Sequence, residues 1–242
     1  MEHTKLIYME EMQKLTDIAQ VVGVFNDGDI VTLELDQTIF YPQGGGQPYD
    51  IGFIESTSGK FKVNEVRFVD GIVKHVGEFE TGSFNIGDEV NLLIDAERRK
   101  LHARLHSAGH VVDMAVHNLG LKWMPGKGYH FPDGPYIEYI GEIAEEVNRE
   151  ELAKKIEEIA NSFIDQSIET SIQFMPKSEM HTVCEHVPDY LPENKPARVV
   201  LYGKFGVPCG GTHVANLKNI EHLTIRKVGI KNGNIKVSYQ VS

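Results

Sequence analysis

Apolar and polar residues alternate in short runs over the first 95 positions of the chain. Five such runs, rich in Val, Ile, Leu and Phe, cover residues 21–25, 30–35, 61–69, 72–76 and 90–94. Turn-forming sequences, such as those at 26–29 and 70–71, separate them. Short strands at this close spacing are typical of antiparallel barrels, so residues 1–95 are predicted to form a small N-terminal β-barrel domain.

The pattern changes at Ala96, where apolar residues begin to recur every three or four positions. This spacing, from Leu101 to Leu119, predicts a long amphipathic helix that Asp95 caps and Gly120 ends. Further patterns predict strands at 136–140, 168–174 and 198–202, a helix opening at 148–151, a short helix at 177–186, a loop at 123–128 and a closing hairpin at 223–241. Residues 96–242 are therefore predicted to form an α/β domain with a sheet and one long helix, which makes the chain α+β.

Charge is distributed unevenly along the 242 residues, which carry a formal net charge of −11. Residues 1–90 hold six basic against sixteen acidic side chains, whereas the remaining eighteen and nineteen nearly cancel. Two stretches are basic: residues 98–104, and residues 198–242, where seven Lys or Arg accompany Glu221 alone. Basic patches on a nearly neutral domain suit a polyanion, although the same side chains also solvate ordinary surfaces.

Other classes of protein are disfavoured by the composition. No run approaches the roughly 18 apolar residues that span a membrane, and residues 1–15 mix charged with apolar side chains, unlike a signal peptide. The only two cysteines, Cys184 and Cys209, provide no disulfide framework and agree with a reducing compartment. We therefore expect a cytoplasmic protein without a membrane partner.

A glycine-rich segment interrupts the predicted barrel between Tyr41 and Tyr49. Its central residues are Gly44, Gly45, Gly46 and Gln47. Three consecutive glycines allow positive φ angles and the close approach of another chain, so the segment is predicted to be a contact loop, with an unusual turn as the alternative. No Gly-Lys-Ser or Gly-Lys-Thr follows, which argues against a phosphate-binding Walker loop.

Four metal-binding side chains occur as two spaced pairs. His106 and His110 lie one turn apart on the predicted helix, where their Cβ atoms are roughly 5–6 Å apart. Cys209 and His213 form a second pair in a glycine-rich segment, which is too flexible for a helix and leaves room beside a metal. A Cys-His3 set matches Zn2+ in softness and number. The helix is not that of a zinc protease, because the position of the required Glu holds Ser107.

The motifs resemble a known family. His-Ser-Ala-Gly-His at 106–110, followed by Cys-Gly-Gly-Thr-His at 209–213, resembles the editing domain of alanyl-tRNA synthetase. The glycine-rich segment 44–50 resembles a motif of the barrel domain that precedes it. The editing domain of threonyl-tRNA synthetase shares the spacing, but its second motif usually differs. The resemblance runs from about residue 21 to residue 242, so a free-standing editing protein of the AlaX type is expected, without an aminoacylation domain or ATP.

The resemblance implies a zinc-dependent hydrolase that deacylates alanine tRNA wrongly charged with serine or, in some members, glycine. A small amino-acid pocket discriminates weakly between side chains that differ by a methyl or a hydroxyl group, which makes a second hydrolytic step reasonable. The alternatives are a zinc-stabilised tRNA-binding module without catalysis and a threonyl-tRNA editing protein. The sequence does not decide whether zinc activates water or orients the substrate.

Site residues follow from the resemblance and from charge. The predicted metal ligands are His106, His110, Cys209 and His213. The predicted substrate contacts are Gly44, Gly45, Gly46, Gln47, Thr212 and Met124, and the predicted tRNA contacts are Arg98, Arg99, Lys100 and Arg104. Thr212 either touches the aminoacyl group or shapes its loop. Met124 follows Trp123 at a position where some short relatives carry a hydroxyl residue, which makes glycine acceptance more plausible.

Overall fold

A closed barrel of six antiparallel strands forms the first part of the chain. The structure, a computed structural model, describes residues 3–28 and 30–242 and is α+β, as predicted. The strands of this part are β1 (Lys5–Leu6), β2 (Thr16–Asp27), β3 (Ile30–Leu35), β4 (Gln37–Thr38), β5 (Gly52–Ser56), β6 (Gly59–Val69), β7 (Ile72–Gly82) and β8 (Glu89–Ile94). The barrel has the order β2-β3-β7-β6-β5-β8 and closes where β2 pairs with β8.

Alternation along the strands fills the barrel with apolar side chains. Leu33, Ile54, Phe61, Val66 and Leu92 are fully buried in one cluster, whereas their chain neighbours mostly face outward. Strand β5 is absent from the pattern-based prediction because Ile54 is its only fully buried residue. The predicted strand at 21–25 is the middle of the longer β2, which begins at Thr16.

A buried ion pair lies in the same part of the chain. The Arg99 guanidinium donates from Nε to both carboxylate oxygens of Asp50, each at 3.1 Å, and also to the carbonyl oxygens of Met12 and Ile39. Asp50 accepts a further bond from the backbone N–H of Tyr41 at 2.7 Å. Arg99 and Asp50 are 3% and 0% exposed, so both charges depend on these partners.

His75 is a second buried polar group of the barrel. Its Nδ1 lies 3.2 Å from the Leu33 carbonyl oxygen and its Nε2 lies 2.8 Å from Thr38 Oγ1. The carbonyl accepts from Nδ1–H, so Nε2 accepts the Thr38 hydroxyl proton and the imidazole is neutral. Burial lowers the pKa of His75 from 6.5 to about 4, and the bond to Leu33 opposes this shift.

The low pKa of His75 predicts that acid destabilises the barrel. The unfolded chain takes up this proton as the pH falls through 6.5, whereas the folded chain takes it up only near pH 4. The free energy of unfolding should therefore fall by roughly 3 kcal/mol over this interval and level off below it. Chemical denaturation between pH 4 and pH 7 measures the slope. His75→Gln should flatten it, and an unchanged slope in that variant would contradict the assignment.

The rest of the chain combines two helices with two sheets. The helices are α1 (Ala96–Asn118) and α2 (Arg149–Asp165), and the strands are β9 (Met124–Tyr129), β10 (Tyr136–Ile140), β11 (Thr170–Met175), β12 (Ala197–Tyr202), β13 (Phe205–Pro208), β14 (Leu223–Lys231) and β15 (Asn234–Val241). One sheet has the order β14-β15-β10-β9 and the other β11-β12-β13. Asp95 caps α1 as predicted, because its Oδ1 accepts from the N–H of Arg98 at 2.9 Å.

Two predictions for this part are wrong in detail. Residues 123–128 are predicted as a loop, but Met124–Tyr129 is a strand at the edge of its sheet. Pro125, Gly126 and Gly128 are typical of turns, yet an edge strand accommodates them because its outer side needs no ladder hydrogen bonds. The short helix predicted at 177–186 is a 3-10 helix at Lys177–Thr182.

The chain divides into two compact units. One comprises the described residues of Met1–Gly44 and Pro48–Leu101, and the other comprises Gly45–Gln47 and His102–Ser242. Three residues of the glycine-rich segment thus belong to the second unit, although they lie within the barrel sequence. The domain boundary at 95/96 stays a prediction. Over the described ranges, no helix is both long enough and apolar enough to cross a membrane.

Candidate metal centre

Four buried or half-buried ligand side chains meet in the second unit. His106 and His110 lie on one face of α1, with ring centroids 5.1 Å apart, and Cys209 and His213 come from the segment that follows β13. One ligand atom from each residue lies within 4.8 Å of the other three. The structure therefore brings together the two pairs that the sequence presents separately.

Hydrogen bonds to Nδ1 orient all three imidazoles. Nδ1 of His106 lies 2.9 Å from Gln47 Oε1, Nδ1 of His110 lies 3.1 Å from Asp113 Oδ2, and Nδ1 of His213 lies 3.0 Å from the Tyr202 hydroxyl. Tyr139 donates to the other oxygen of Asp113 at 2.6 Å, which fixes this carboxylate. In each ring Nε2 is left for another partner, as in histidines whose second nitrogen binds a metal.

The donor set fits a tetrahedral zinc ion. Cys209 Sγ lies 3.4 Å from Nε2 of His106 and 3.3 Å from Nε2 of His213. Zn–N and Zn–S bonds of roughly 2.0–2.3 Å at tetrahedral angles place ligand atoms at about these separations. Nε2 of His110 is buried and has no hydrogen-bond partner within residues 3–28 and 30–242, which is costly unless a ligand satisfies it.

The electrostatics favour a thiolate at Cys209. Burial alone would raise the pKa of its thiol, but His110 and the backbone N–H of Gly211 outweigh burial and lower that pKa. Burial likewise lowers the pKa of His110, yet Asp113 and Cys209 outweigh it and raise the pKa to about 9. For His106 and His213, burial and the neighbouring histidines hold the pKa well below 6.5. Neutral imidazoles at His106 and His213 and a thiolate at Cys209 are forms that bind metal, whereas His110 must release a proton when a metal binds.

Gln47 links the glycine-rich segment to the ligand loop. Its Oε1 accepts from His106 Nδ1 and, at 3.0 Å, from the backbone N–H of Thr212, while its Nε2 donates to Thr212 Oγ1 at 2.9 Å. Gln47 and Thr212 are both fully buried. The Thr212 hydroxyl is therefore engaged in shaping the loop, one of the two roles that the sequence left open.

Glycines are required where the chain packs against the imidazoles. A Cβ on Gly211 would lie 2.2 Å from Cε1 of His106, and one on Gly109 would lie 2.5 Å from Cε1 of His130. The room expected beside Gly211 is thus filled by the His106 ring. Gly46 has φ +77, and a Cβ there would lie 2.3 Å from the Gly128 carbonyl oxygen, so this position also needs glycine.

His130 is a residue of the site that the sequence analysis missed. Its ring stacks on that of His106 with centroids 4.3 Å apart, and it is only 2% exposed. Its Nδ1 donates to the Tyr239 hydroxyl at 2.6 Å, because that hydroxyl in turn donates to the Leu105 carbonyl at 2.9 Å. Burial lowers the pKa of His130 to about 3, which leaves a neutral ring with Nε2 as an acceptor. Strand alternation between Tyr129 and Phe131 is the signal that would have placed this side chain inward.

Two predicted substrate contacts lie elsewhere. Met124 is 43% exposed at the start of β9, six residues before His130, which in an extended strand is about 20 Å. Gly44 belongs to the first unit, where its carbonyl oxygen accepts from the Tyr41 hydroxyl at 2.9 Å. Gly45, Gly46 and Gln47 are in the second unit with the four candidate ligands.

The basic run at 98–104 is largely used within the protein. Arg99 is buried on Asp50, and Arg98 donates to the Tyr49 carbonyl at 3.1 Å. Arg104 donates to the carbonyl oxygens of Ile220 and Ser242 at 2.7 and 2.6 Å. Of the four predicted tRNA contacts, Lys100 is the one exposed residue, and Arg98 and Arg104 are half-buried. These contacts give the three arginines structural roles, and the buried Arg99 offers no surface to a phosphate.

Comparison with known proteins finds similarity to class II tRNA synthetases. A family model described as class II tRNA synthetases (A) matches residues 2–98. The alanine–tRNA ligase of Methanothrix thermoacetophila is 35% identical over 215 residues, which are 88% of this chain and 22% of the ligase. That of Archaeoglobus fulgidus is 32% identical over 248 residues, 98% of this chain and 26% of the ligase. The chain thus spans about a quarter of the length of these relatives.

A shorter relative matches over nearly its whole length. The alanyl-tRNA editing protein AlaX-M of Methanosarcina barkeri is 30% identical over 230 residues. These residues are 91% of this chain and 89% of that protein. The similarity therefore includes both the barrel sequence and all four candidate ligands.

Proposed function

The chain belongs to the family of the alanyl-tRNA editing protein AlaX-M, and on that premise we propose that it deacylates wrongly charged alanine tRNA. The reaction is the hydrolysis of the ester between an amino acid and the terminal ribose. Water adds to the ester, and the products are the free amino acid and the ribose hydroxyl. The proposal draws on the editing relative, because the chain spans only a quarter of the ligases.

The buried Cys-His3 cluster is the observation that carries this proposal. We assign it to Zn2+, held by His106, His110, Cys209 and His213. A zinc ion bound there would polarise the ester carbonyl and acidify nearby water. The protein contributes the orientation of the three imidazoles through Gln47, Asp113 and Tyr202, so that little reorganisation is needed when the substrate binds.

Residues beside the cluster suit the positioning of a small aminoacyl group. His130 is neutral and presents Nε2 as a hydrogen-bond acceptor next to His106. Gln47 holds Thr212 and His106 in one network, so a change in either residue is transmitted to a metal ligand. In this proposal residues 1–95 form the barrel domain and 96–242 the editing domain, to which Gly45, Gly46 and Gln47 contribute.

Deacylation of charged tRNA tests the function directly. Alanine tRNA carrying serine, glycine or alanine is incubated with the zinc-loaded protein, and the release of each labelled amino acid is followed. Serine or glycine should be released at least tenfold faster than alanine. Threonine tRNA carrying threonine or serine serves as the control for the threonyl alternative. Binding of alanine tRNA without any release would favour the non-catalytic module.

A further inference from the structure

The sheet β14-β15-β10-β9 carries an aromatic stack on the face that points away from the core. Ile137 and Tyr139 of β10 are buried, whereas Tyr136, the first residue of the same strand, is half-buried on the other face. The rings of Tyr129 and Tyr136, which are cross-strand partners, stack with centroids 5.2 Å apart and planes 19° apart. Tyr129 also stacks on Phe131, with centroids 4.5 Å apart and planes 14° apart.

Basic side chains surround one end of this stack. Lys236 Nζ lies 3.5 Å above the centre of the Tyr136 ring, a cation–π contact. Lys227 and Lys231 of β14 are exposed on the same face, since they alternate with the inward Val228. Partial burial, then Lys231 and Arg226, lower the pKa of Lys236, while Glu138 opposes them. Positive charge is therefore concentrated here beyond what neighbouring carboxylates compensate.

The acidic groups of this face do not cancel that charge. Glu138 is the cross-strand partner of Lys236. Asp133 accepts the Tyr129 hydroxyl at 3.0 Å and so orients that ring. Four cations, Arg226, Lys227, Lys231 and Lys236, remain against these two carboxylates. Such a surface complements a chain of phosphates.

Phe131 is the last ring of this stack and is half-buried. Tyr129 stacks on two rings, and Tyr136 contacts both Tyr129 and Lys236. In the part of the chain that the structure describes, Tyr129 is the only ring in contact with Phe131. Phe131 directly follows His130, whose ring stacks on the metal ligand His106. A flat group placed on Phe131 is therefore held at the residue that follows His130, in the connection between β9 and β10.

From this geometry we propose that Phe131 stacks on the unpaired 3′-terminal base of tRNA, while Arg226, Lys227, Lys231 and Lys236 contact its phosphates. Aromatic side chains bind unstacked bases in this way, with basic residues along the backbone. The base then extends the row formed by Phe131, Tyr129 and Tyr136. Its ribose, which carries the ester, would extend past the end of β9, on whose other face His130 stacks on His106. The inference rests on the proposed function, because it names the part of that substrate which this face holds.

Binding of uncharged RNA hairpins tests the stacking without any hydrolysis. One hairpin copies the alanine acceptor stem with its complete single-stranded 3′ end, and the other lacks only the terminal adenosine. Phe131→Ala should weaken binding of the complete hairpin by about 5- to 100-fold and leave the truncated one within about twofold. Phe131→Tyr should bind the complete hairpin like the original protein, and Phe131→Leu should bind it like Phe131→Ala. Thermal unfolding checks that each variant is folded.

The lysines should behave differently from Phe131. Lys231→Ala with Lys236→Ala should weaken both hairpins equally and reduce the slope of log affinity against log salt by about two. Equal effects of Phe131→Ala on both hairpins, or no effect on either, would overturn the stacking proposal. Because the hairpins carry no amino acid, this result is independent of deacylation. The protein could fail to deacylate tRNA while Phe131→Ala still weakens binding of the complete hairpin alone. That result would refute the proposed deacylase function but support the stacking of the terminal base on Phe131.

Discussion

Replacing Cys209 by alanine should remove the metal and slow the release of serine from alanine tRNA by at least about 100-fold. The thiolate is one of four donors, and its Sγ lies 3.4 Å or less from two of the other three. Loss of an outer partner alone typically costs 10- to 100-fold in metal affinity, so loss of a ligand should cost more. Zinc per protein after dialysis against a weak chelator, and the deacylation rate with zinc restored, measure the two effects.

The other cysteine provides a matched control. Cys184 is buried in a separate apolar cluster with Met175, Met180 and Val199, and burial raises the pKa of its thiol to about 11. Cys184→Ala deletes the same atom from a site without metal ligands, and it should leave the zinc content unchanged. Full zinc content in Cys209→Ala would remove that residue from the ligand set. Normal deacylation by metal-free protein would show that the cluster is not needed for hydrolysis.

The clustering of the four candidate ligands could be predicted from the sequence, but the residues that orient them could not. The spacing of His106 and His110 specifies a shared helix face, and the Cys-His3 set specifies a soft metal. Gln47, Asp113 and Tyr202 reach the ligands through contacts that span from 3 to 59 positions along the chain. Their side chains are common in unrelated roles, so no local pattern marks them.

His130 shows a different limit of sequence reasoning. Glycine and proline at 125–128 favour a turn, and a turn has no inward and outward faces. Pairing with β10 overrides that local preference, and alternation then places His130 against His106 while Tyr129 and Phe131 face the other way. The barrel was easier to predict, because Leu33, Phe61 and Leu92 lie in runs where apolar and polar residues alternate. In the structure these runs are strands whose apolar side chains face the barrel core.

Charge alone does not show which residues of the basic run reach solvent. A cluster of arginines indicates a polyanion only if the side chains reach solvent, and burial cannot be read from charge. Arg99 is 3% exposed and bound to Asp50, whereas Lys227 and Lys231 are exposed on a sheet that also carries stacked rings. The proposed contact with tRNA therefore moves from the start of α1 toward β14 and β15.

Breaking the Arg99–Asp50 pair should have the largest effect on stability. Asp50→Asn keeps an acceptor for the Tyr41 N–H but leaves the Arg99 charge buried without its partner. Conversely, Arg99→Met leaves the Asp50 carboxylate buried without a counter-charge. Each change should lower the free energy of unfolding by about 3–5 kcal/mol, the usual cost of an uncompensated buried charge. Arg67→Met is the control, because Arg67 pairs with Glu65 on the surface and is 60% exposed. Its unfolding midpoint should not change.

A double variant separates the loss of stability caused by an unpaired buried charge from the loss caused by poorer packing. Asp50→Asn combined with Arg99→Met removes both charges, so it should be more stable than either single variant, although the Met12 and Ile39 carbonyls still lose their donor. Denaturant unfolding of the original protein, the two single variants and the double variant gives the coupling free energy between Asp50 and Arg99. Additive losses would show that the two residues act independently, and this result would contradict the coupling expected within one buried network. A coupling of several kcal/mol would make Arg99 a structural residue of the first unit rather than a ligand for tRNA.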